Sequence, residues 1–525
     1  MNNFSVLITT SGLGTRLGEK SKHINKALLR VGDLPIISRI LNSYKKDSEF
    51  IITIGYKGDL IRQYLNIAHS DLNIKFVEVD KFEGEGSSLL YSMLKAKKVL
   101  QKPFIFHVSD AIVGSNNDFD INYNFIVGSR KGDPTYYASF NVKGENVESI
   151  YNKGELGTDF NYVGIANIVD YKFFWIEAEK LLKKHPTNTS LNDVSVFKLM
   201  LDNKLKIKFF ETKEWHDTGS IKGLFNAKEK IKPKILNGVL DKPKESIFFI
   251  NNHIIKFFSD TTVNLNRVKR ADKLYPIVPK IIDFSNNFYK YKLVDGILFS
   301  KNINQNSFNN FLEYSNEKLW NKIESKINLS ELCKAFYLDK TLKRVNEFLN
   351  KKNILDKSNF INGQFVPKIS ELINQIPKEF YEKGIATRVH GDFILDNCIK
   401  TKNSFKMIDW RQDFGGNIEA GDLYYDLSKL AHNLVLNHEM IDNDFYFIEY
   451  NKDKINVEIF RKNTLVDCEI QYFKWLDENN FDIKKVKLLR AIIWINMSPL
   501  HHKPFDEFLY YFGKLNLFNA LKQYD

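Results

Sequence analysis

Along its first hundred residues the chain alternates short β-branched or aromatic runs with amphipathic stretches. Ser5–Thr10, Phe50–Gly55, Asn73–Val79 and Pro103–Ser109 read as strands, and Ile36–Lys46, Asp59–Asn66 and Ser87–Leu100 as the helices between them. In the last helix Leu89, Leu90, Met93, Leu94, Ala96 and Leu100 fall at helical spacing. Strands separated by helices of this length predict a mainly parallel sheet covered on both faces, with ligands at the carboxyl ends of its strands. A mixed region follows, with strands near Tyr136 and Tyr162, helices near Phe173 and Val194, and a strand Lys206–Thr212. The segment Lys230–Glu245 holds two prolines, a glycine and many charges, which places a linker at 232–245 between a domain 1–231 and a domain 246–525. Beyond it, Ser246–Ile250 and His253–Phe258 predict a hairpin turning at Asn251-Asn252, and a second β-rich piece covers Val278–Ser300. From about Phe308 the pattern is mostly helical, with an irregular loop around Val389–Asp413, so a small β lobe and a larger helical lobe are expected.

Composition narrows the class. At 43% hydrophobic and 27% charged residues, disordered, collagen-like and disulfide-scaffold readings are excluded. The net charge of +12 favours anionic small partners, but the lysines are scattered among Asn, Ile and Phe, so no nucleic-acid partner is expected. Cys333, Cys398 and Cys468 form no CxxC spacing, which argues against a disulfide framework and a zinc site. His432 and the pair His501-His502 likewise lack metal-like spacing to carboxylates. Without a basic leader or an apolar run of membrane-spanning length, a cytoplasmic protein with no membrane insertion is expected, and self-association is left open.

The first candidate site is the glycine turn that closes the first strand, Thr10-Ser11-Gly12-Leu13-Gly14-Thr15-Arg16-Leu17, followed by Asn25-Lys26 and Pro35. Glycines there let backbone N–H groups approach phosphate oxygens, while Arg16 and Lys26 offset the charge. Together with Ser109-Asp110 and Trp215-His216-Asp217-Thr218-Gly219, the string resembles the signature of nucleotidyltransferases that make nucleotide sugars and related nucleotide-activated alcohols, over about residues 1–231. The resemblance implies a Rossmann-like, GT-A-like fold, with Mg²⁺ on Asp110 and Asp217. It implies also that Gly12, Gly14, Thr15 and Arg16 hold the nucleotide phosphates, that Lys26 and Arg16 screen the reacting phosphates, and that Gly86 and Ser87 lie against the base or ribose. Two positions depart from the pattern: Thr10-Ser11 replaces the usual Ala-Ala or Ala-Gly, and Asn25 the usual Pro. The second change is shared with proteins resembling phosphocholine cytidylyltransferases, which opens an acceptor other than a hexose phosphate; the base is not readable from these residues, and CTP is the expected second nucleotide beside ATP.

The second candidate site is Arg388-Val-His390-Gly391-Asp392, with Asn397 five positions after the aspartate, then Phe405-Lys-Met-Ile-Asp409-Trp410. A loop aspartate, an asparagine and a strand-ending aspartate supply a base for a hydroxyl and two oxygen ligands for Mg²⁺. The spacing resembles the choline kinase and aminoglycoside phosphotransferase group, over about residues 246–525. It implies a bilobal protein-kinase-like fold with Asp392 as catalytic base, Asn397 and Asp409 on Mg²⁺, Lys256 on the ATP phosphates, and Asp295 in the segment along adenine. No Glu to pair with Lys256 is found between Asp260 and Leu274, and a glycine-rich phosphate loop is missing. Asp426 reads as a tie between the catalytic loop and a helix, while Arg411, Gln412 and Asp413 are placed to line the acceptor pocket.

Two transferases on one chain imply a sequence of reactions in which a sugar or amino-alcohol acceptor is phosphorylated and then joined to a nucleotide, as in the preparation of donors for capsule or lipopolysaccharide. A sugar-like acceptor is ranked above choline or ethanolamine. The reading of another class is a nucleotidyltransferase carrying a non-catalytic nucleotide-binding module.

Overall fold

The computed structural model describes the chain except residues 1–3, 115–119, 156–158, 236–241, 325–326 and 525. It divides into two compact units, Met1–Thr261 with Asp283–Lys290, and Thr262–Ile282 with Tyr291–Asp525.

In the first unit, β1 (Ser5–Thr9), α1 (Ile36–Asn42), β2 (Glu49–Ile54), α2 (Gly58–Ala68), β3 (Asn73–Glu78), α3 (Leu89–Lys95) and β4 (Phe104–Val108) follow the expected alternation. The four strands run parallel in the order β3-β2-β1-β4. Their period of two sorts side chains between two cores: Val6, Ile8, Phe50 and Ile52 face one way, Leu7 and Ile51 the other. The first face is covered by Ile37 and Ile40 of α1 and by Ile61, Tyr64 and Leu65 of α2. Those α2 positions fall at i, i+3 and i+4, which turns one stripe of the helix inward. The second face is covered by Leu90 and Met93 of α3, whose N-cap Ser88 accepts a hydrogen bond from the Tyr91 N–H at 3.1 Å.

The chain continues through β5 (Ala111–Val113), β6 (Phe125–Ser129), β7 (Ser139–Lys143), β8 (Asn146–Tyr151), β9 (Phe160–Ile168), α4 (Tyr171–Lys184), α5 (Asp193–Asp202), β10 (Lys208–Glu211), β11 (Trp215–Asp217) and α6 (Ile221–Lys230). Here the structure departs from a mainly parallel sheet. β9 joins β4 antiparallel, β6 joins β9 antiparallel, and β10 runs parallel to β6, so the nine-stranded sheet is mixed. All nine residues of β9 are buried, a pattern that reads the same in either direction. The hairpin β12 (Glu245–Ile250) and β13 (His253–Phe258) turns at Asn251-Asn252 as expected, both residues being left-handed (φ 47° and 62°). Its Phe248, with Phe288, packs on Tyr64 of α2 at 5.3 and 5.8 Å between ring centroids. The hairpin therefore shares the core of the first unit, whereas the pattern reading places it after a linker. Residues 236–241 of that expected linker lie outside the described residues.

The second unit is mostly helical: α7 (Thr261–Leu274), α8 (Gln305–Lys318), α9 (Lys340–Lys352), α10 (Leu423–Val435), α11 (Asn463–Glu478), α12 (Ile483–Met497) and α13 (Phe505–Leu521). α10 is buried along almost its whole length, so it forms the middle of this unit. Within the segment expected as an irregular loop, Cys398–Lys400 (β14) and Phe405–Met407 (β15) form a short antiparallel hairpin. The three cysteines are free and buried. Among the described residues no helix is long and apolar enough to cross a membrane.

Candidate functional site

At the carboxyl end of β1 the chain leaves the sheet through Ser11-Gly12-Leu13-Gly14. Gly12 is exposed, with open space where a side chain would stand. Gly14 is left-handed (φ 70°), and a Cβ there would meet Lys26 Cβ at 3.2 Å, so the loop and the lysine are fitted to each other. The 3-10 stretch Thr15–Ser21 then sets Thr15 and Arg16 at the surface. Asn25 is fully buried: its Nδ2 donates to the carbonyls of Thr10 at 3.0 Å and Tyr56 at 2.8 Å, and its Oδ1 accepts from Ala27 N–H at 2.9 Å. These three bonds fix the segment that carries Lys26, a structural reason for asparagine at this position.

β4 lies beside β1 in the register Thr9 to Val108, which brings Asp110 out next to the loop. Lys26 Nζ stands 2.8 Å from Asp110 Oδ2, and Arg16 Nη2 3.9 Å from the same oxygen. Asp217 arrives from more than a hundred residues away because β11 pairs with β5, setting Asp217 opposite Ala111. Thr218 locks the junction, its N–H and its hydroxyl both donating to the Asp110 carbonyl at 2.8 Å. Asp217 accepts the Gly219 N–H on Oδ1 at 2.8 Å and the Tyr137 hydroxyl on Oδ2 at 3.0 Å. Gly219 sits at the centre: a Cβ on it would meet Asp110 Oδ2 at 2.8 Å, Arg16 Nη2 at 2.9 Å and Asp217 Oδ1 at 3.1 Å.

The electrostatics separate the two acids. Burial works against charge on Asp110, but Lys26, by charge and hydrogen bond, and then Arg16 hold it below the ordinary carboxylate range. Asp217 is raised, first by burial and then by the Asp110 charge, against the Gly219 and Tyr137 hydrogen bonds. Two converging carboxylates of this kind suit Mg²⁺, which takes one or two carboxylates and fills its remaining positions with water and substrate phosphates. Among the described residues no group of three or more His, Cys, Asp or Glu forms a metal cluster. Thr218 and Gly219 stand in the sequence reading as part of the Trp215–Gly219 string without a role of their own, whereas Tyr137 escapes it, since a hydroxyl donor to Asp217 has no local signature.

Gly86 and Ser87 lie in the connection from β3 to α3. Gly86 is left-handed (φ 75°), donates its N–H to the Thr187 carbonyl at 3.1 Å, and leaves only 2.3 Å between a built Cβ and the Pro186 carbonyl oxygen. Close packing on the Pro186-Thr187 turn thus accounts for the glycine. The Ser87 hydroxyl donates to the Gly84 carbonyl at 2.6 Å.

In the second unit the structure brings Asp392 and Asn397 together. Asn397 Nδ2 donates to both the carbonyl and Oδ2 of Asp392, at 3.0 and 3.1 Å. The β14/β15 hairpin then returns the chain so that Ile408 N–H donates to the Asn397 carbonyl at 2.8 Å, which places Asp409 at the same end. Asp409 is left-handed (φ 62°), a sparsely populated conformation for a residue with a side chain. Asp426 ties the loop to α10, accepting the N–H groups of His390 at 2.6 Å and Gly391 at 2.7 Å. Lys429, one turn on from Tyr425, reaches Asp392 Oδ1 at 2.8 Å. Burial opposes charge on Asp392, but Lys429, by charge and hydrogen bond, holds the carboxyl well below its usual range. Lys256 is buried within β13 opposite Ile247, in the first unit. Asp295 is exposed, next to Gly296, whose missing side chain lets the Lys400 carbonyl approach.

No protein-family model matches the chain. It is 26% identical over 259 residues to the Bifunctional protein GlmU of Methanococcus aeolicus, covering 48% of this chain and 54% of that protein. It is 38% identical over 60 residues to a probable glucose-1-phosphate cytidylyltransferase of Bacillus subtilis, covering 11% of this chain and 24% of that protein. The chain therefore spans about half the length of the first relative and about a quarter of the second. Among solved structures, a putative glucose-1-phosphate thymidylyltransferase of Bacillus anthracis superposes with a TM-score of 0.38 at 18% identity, over 46% of this chain and 98% of that one. The CTP:phosphocholine cytidylyltransferase of Streptococcus pneumoniae gives 0.38 at 19% identity, over 44% and 100%. Roughly the first half of the chain is thus similar in sequence to nucleotidyltransferases.

Proposed function

We propose that the first unit transfers a nucleotidyl group from a nucleoside triphosphate to a small phosphorylated acceptor. The observation that carries this reading is the Lys26–Asp110 contact facing Asp217 at the mouth of the open glycine loop, in the half of the chain that is similar to nucleotidyltransferases. An oxygen of the acceptor phosphate attacks the α-phosphorus, the bond from the α-phosphorus to the αβ-bridging oxygen breaks, and pyrophosphate leaves with the electron pair. The chain must align two mutually repelling anions and screen the charge that grows on them. Arg16 and Lys26 supply the mobile cations, and the Gly12–Gly14 backbone supplies N–H donors. Mg²⁺ held by Asp110 and Asp217 would add Lewis-acid screening of the phosphates. No side chain needs to act as nucleophile.

The second unit, in this proposal, supplies the acceptor phosphate by transferring the γ-phosphoryl group of ATP to a hydroxyl. Asp392 orients the hydroxyl and takes its proton, Asn397 and Asp409 would hold Mg²⁺, and Asp295 lies along adenine. The product would be a nucleotide-activated sugar or polyol, in keeping with the glucose-1-phosphate in the name of a similar protein; a choline-type acceptor with CTP, for which Asn25 in place of the usual Pro speaks, is the second reading. The test incubates the full chain and Mg²⁺ with ATP plus each of CTP, UTP, GTP and dTTP against sugars and amino alcohols, following ADP and pyrophosphate separately. Coupled formation of both supports the proposal. Pyrophosphate from pre-phosphorylated acceptors without any ADP would remove the phosphorylation step, and absence of pyrophosphate throughout would remove the nucleotidyl step.

A further inference from the structure

Beside Asp392 the second unit gathers more positive charge than its own acids balance. Lys340 and Arg344 stand one turn apart on α9 and share a face. The Lys340 ammonium lies 3.6 Å from the ring centre of Phe336 and 6.0 Å from that of Tyr425. Arg411, two residues after Asp409, places its guanidinium 5.6 Å from the same Phe336 ring and donates from Nη1 to the Tyr425 hydroxyl at 3.4 Å. Its backbone N–H donates to the His390 carbonyl at 3.0 Å and its side chain packs over Gly391, so it is fixed to the catalytic loop. Lys429 closes the group with its contact to Asp392.

The acids that face these four cations are Asp392, Asp413 and, at Arg344, Glu347. Among the described residues Lys340 has no carboxylate within ion-pair distance, and Arg411 Nε is buried with no hydrogen-bond partner. Arg344 Nη1 is used on the Asn496 carbonyl at 2.8 Å. Positive charge without a paired acid is costly to maintain at Lys340 and Arg344, where burial outweighs the facing acids, whereas at Arg411 and Lys429 the neighbouring acids return that cost. The strain shows on Lys340, which burial, followed by Arg411, Arg344 and Lys429, pulls down to a pKa of about 6. Aromatic faces soften this cost without neutralising it. A bound anion would neutralise it, at a point within reach of the residue assigned to the acceptor hydroxyl.

We propose that the acceptor of the second unit carries a negatively charged group, a carboxylate or a phosphate, held by Lys340, Arg344 and Arg411 while its hydroxyl meets Asp392. This rests on the phosphoryl-transfer reading above, and it disfavours choline and ethanolamine, whose cationic heads would face the same wall. In the reaction the acceptor oxygen bonds to the γ-phosphorus, the bond from the γ-phosphorus to the βγ-bridging oxygen breaks, ADP leaves with the electron pair, and the hydroxyl proton passes to Asp392. The same anion chemistry could come from the γ-phosphate of the nucleotide, so the experiment separates the two sources.

The full chain is assayed for ADP with acceptors differing only in charge: glycerol, glycerate, glycerol phosphate, ribitol, ribitol 5-phosphate, choline and ethanolamine. The anionic members are expected to be preferred, and Lys340→Met and Arg344→Met to raise their KM roughly tenfold or more while leaving the KM for ATP within about twofold. A raised KM for ATP instead would assign the cations to the γ-phosphate and overturn the proposal, as would turnover of choline or a neutral acceptor with a KM untouched by the variants. If no acceptor yields ADP, the phosphoryl-transfer reading fails, and calorimetric titration with inorganic phosphate still decides the anion site. One phosphate site present in wild type and absent from Lys340→Met supports it; equal binding by both, or by neither, overturns it. Thermal unfolding confirms that both variants fold.

Discussion

Asp217→Asn separates the electrostatic price of the first site from its chemistry. Asp110 Oδ2 and Asp217 Oδ1 lie 2.8 and 3.1 Å from the point where a side chain on Gly219 would begin. They are therefore within about 6 Å of each other, where two full charges repel by ~3 kcal/mol at an effective dielectric of 20. Lys26 and Arg16 reduce this, and Asp217 is already raised toward protonation by burial and by Asp110. The net relief expected from Asn is about 1 kcal/mol. The new amide still accepts the Gly219 N–H on Oδ1, and its Nδ2 donates to the Tyr137 oxygen, so packing is kept. The sign with pH follows from linkage. Because the folded-state pKa is raised above 3.8, the native chain binds more protons than the unfolded chain as pH rises past that value, and Asp217 costs stability there. The variant's advantage in urea unfolding without Mg²⁺ should thus be absent below pH 3.8 and grow above it. With Mg²⁺ and nucleotide the order reverses: wild type gains stability from the ligand, the variant gains little, and pyrophosphate release falls at least ~100-fold. Pyrophosphate release within about threefold of wild type would remove Asp217 from the metal site, and a variant less stable than wild type at neutral pH without metal would contradict its raised pKa.

Gly86→Ala should cost about 1–3 kcal/mol in urea unfolding, since its φ of 75° and the Pro186 carbonyl 2.3 Å from a built Cβ both resist a side chain. Asp426→Asn leaves one acceptor for the two buried N–H groups of His390 and Gly391, and should lower stability by about 2–4 kcal/mol and suppress ADP formation while sparing pyrophosphate release. Lys340→Met should remove a pH slope: with the folded-state pKa at about 6, the unfolded chain binds the extra proton between pH 6 and 10.5. Wild-type stability should therefore climb through that window relative to the variant, and parallel curves would contradict the burial of an unpaired ammonium.

The parts of the molecule that the sequence makes legible are those governed by local period. β1 to β4 and their helices show because each strand's alternate residues and each helix's inward stripe are set within a few positions, as in Ile61, Tyr64 and Leu65 of α2. Parts set by pairing across long distances do not show. Whether β9 runs parallel or antiparallel depends on what lies beside it, and Gly164 in its middle is left-handed (φ 86°) where Val108 of β4 presses close. Asp110 and Asp217 are recognisable from their strings, but Tyr137 reaches Asp217 only after the fold is closed. Lys429 looks like an ordinary surface lysine of an amphipathic helix until α10 proves buried, and the packing of Phe248 on Tyr64 gives no sign in a sequence whose composition changes at 232–245.

Each unit holds one acid against a lysine at the same distance, Lys26 with Asp110 and Lys429 with Asp392, both 2.8 Å. The consequences differ because the surroundings differ. In the first unit a lysine that turns to a nucleotide phosphate must leave Asp110, and Asp110, still buried, then needs another cation; a metal arriving with the phosphates supplies it. The same metal ends the repulsion that keeps Asp217 raised, so nucleotide and metal should bind with positive coupling, each weaker alone than together. In the second unit Lys429 is already fixed to the acid, while among the described residues Lys340, Arg344 and Arg411 have no carboxylate within ion-pair distance. At the first site Arg16 offsets the charge of Asp217 only in part, and at the second the acids offset that of Lys340 only in part. On the proposed functions, the two sites should therefore be completed by ligands of opposite sign: a cation carried in on a nucleotide for the first, and an anionic acceptor for the second.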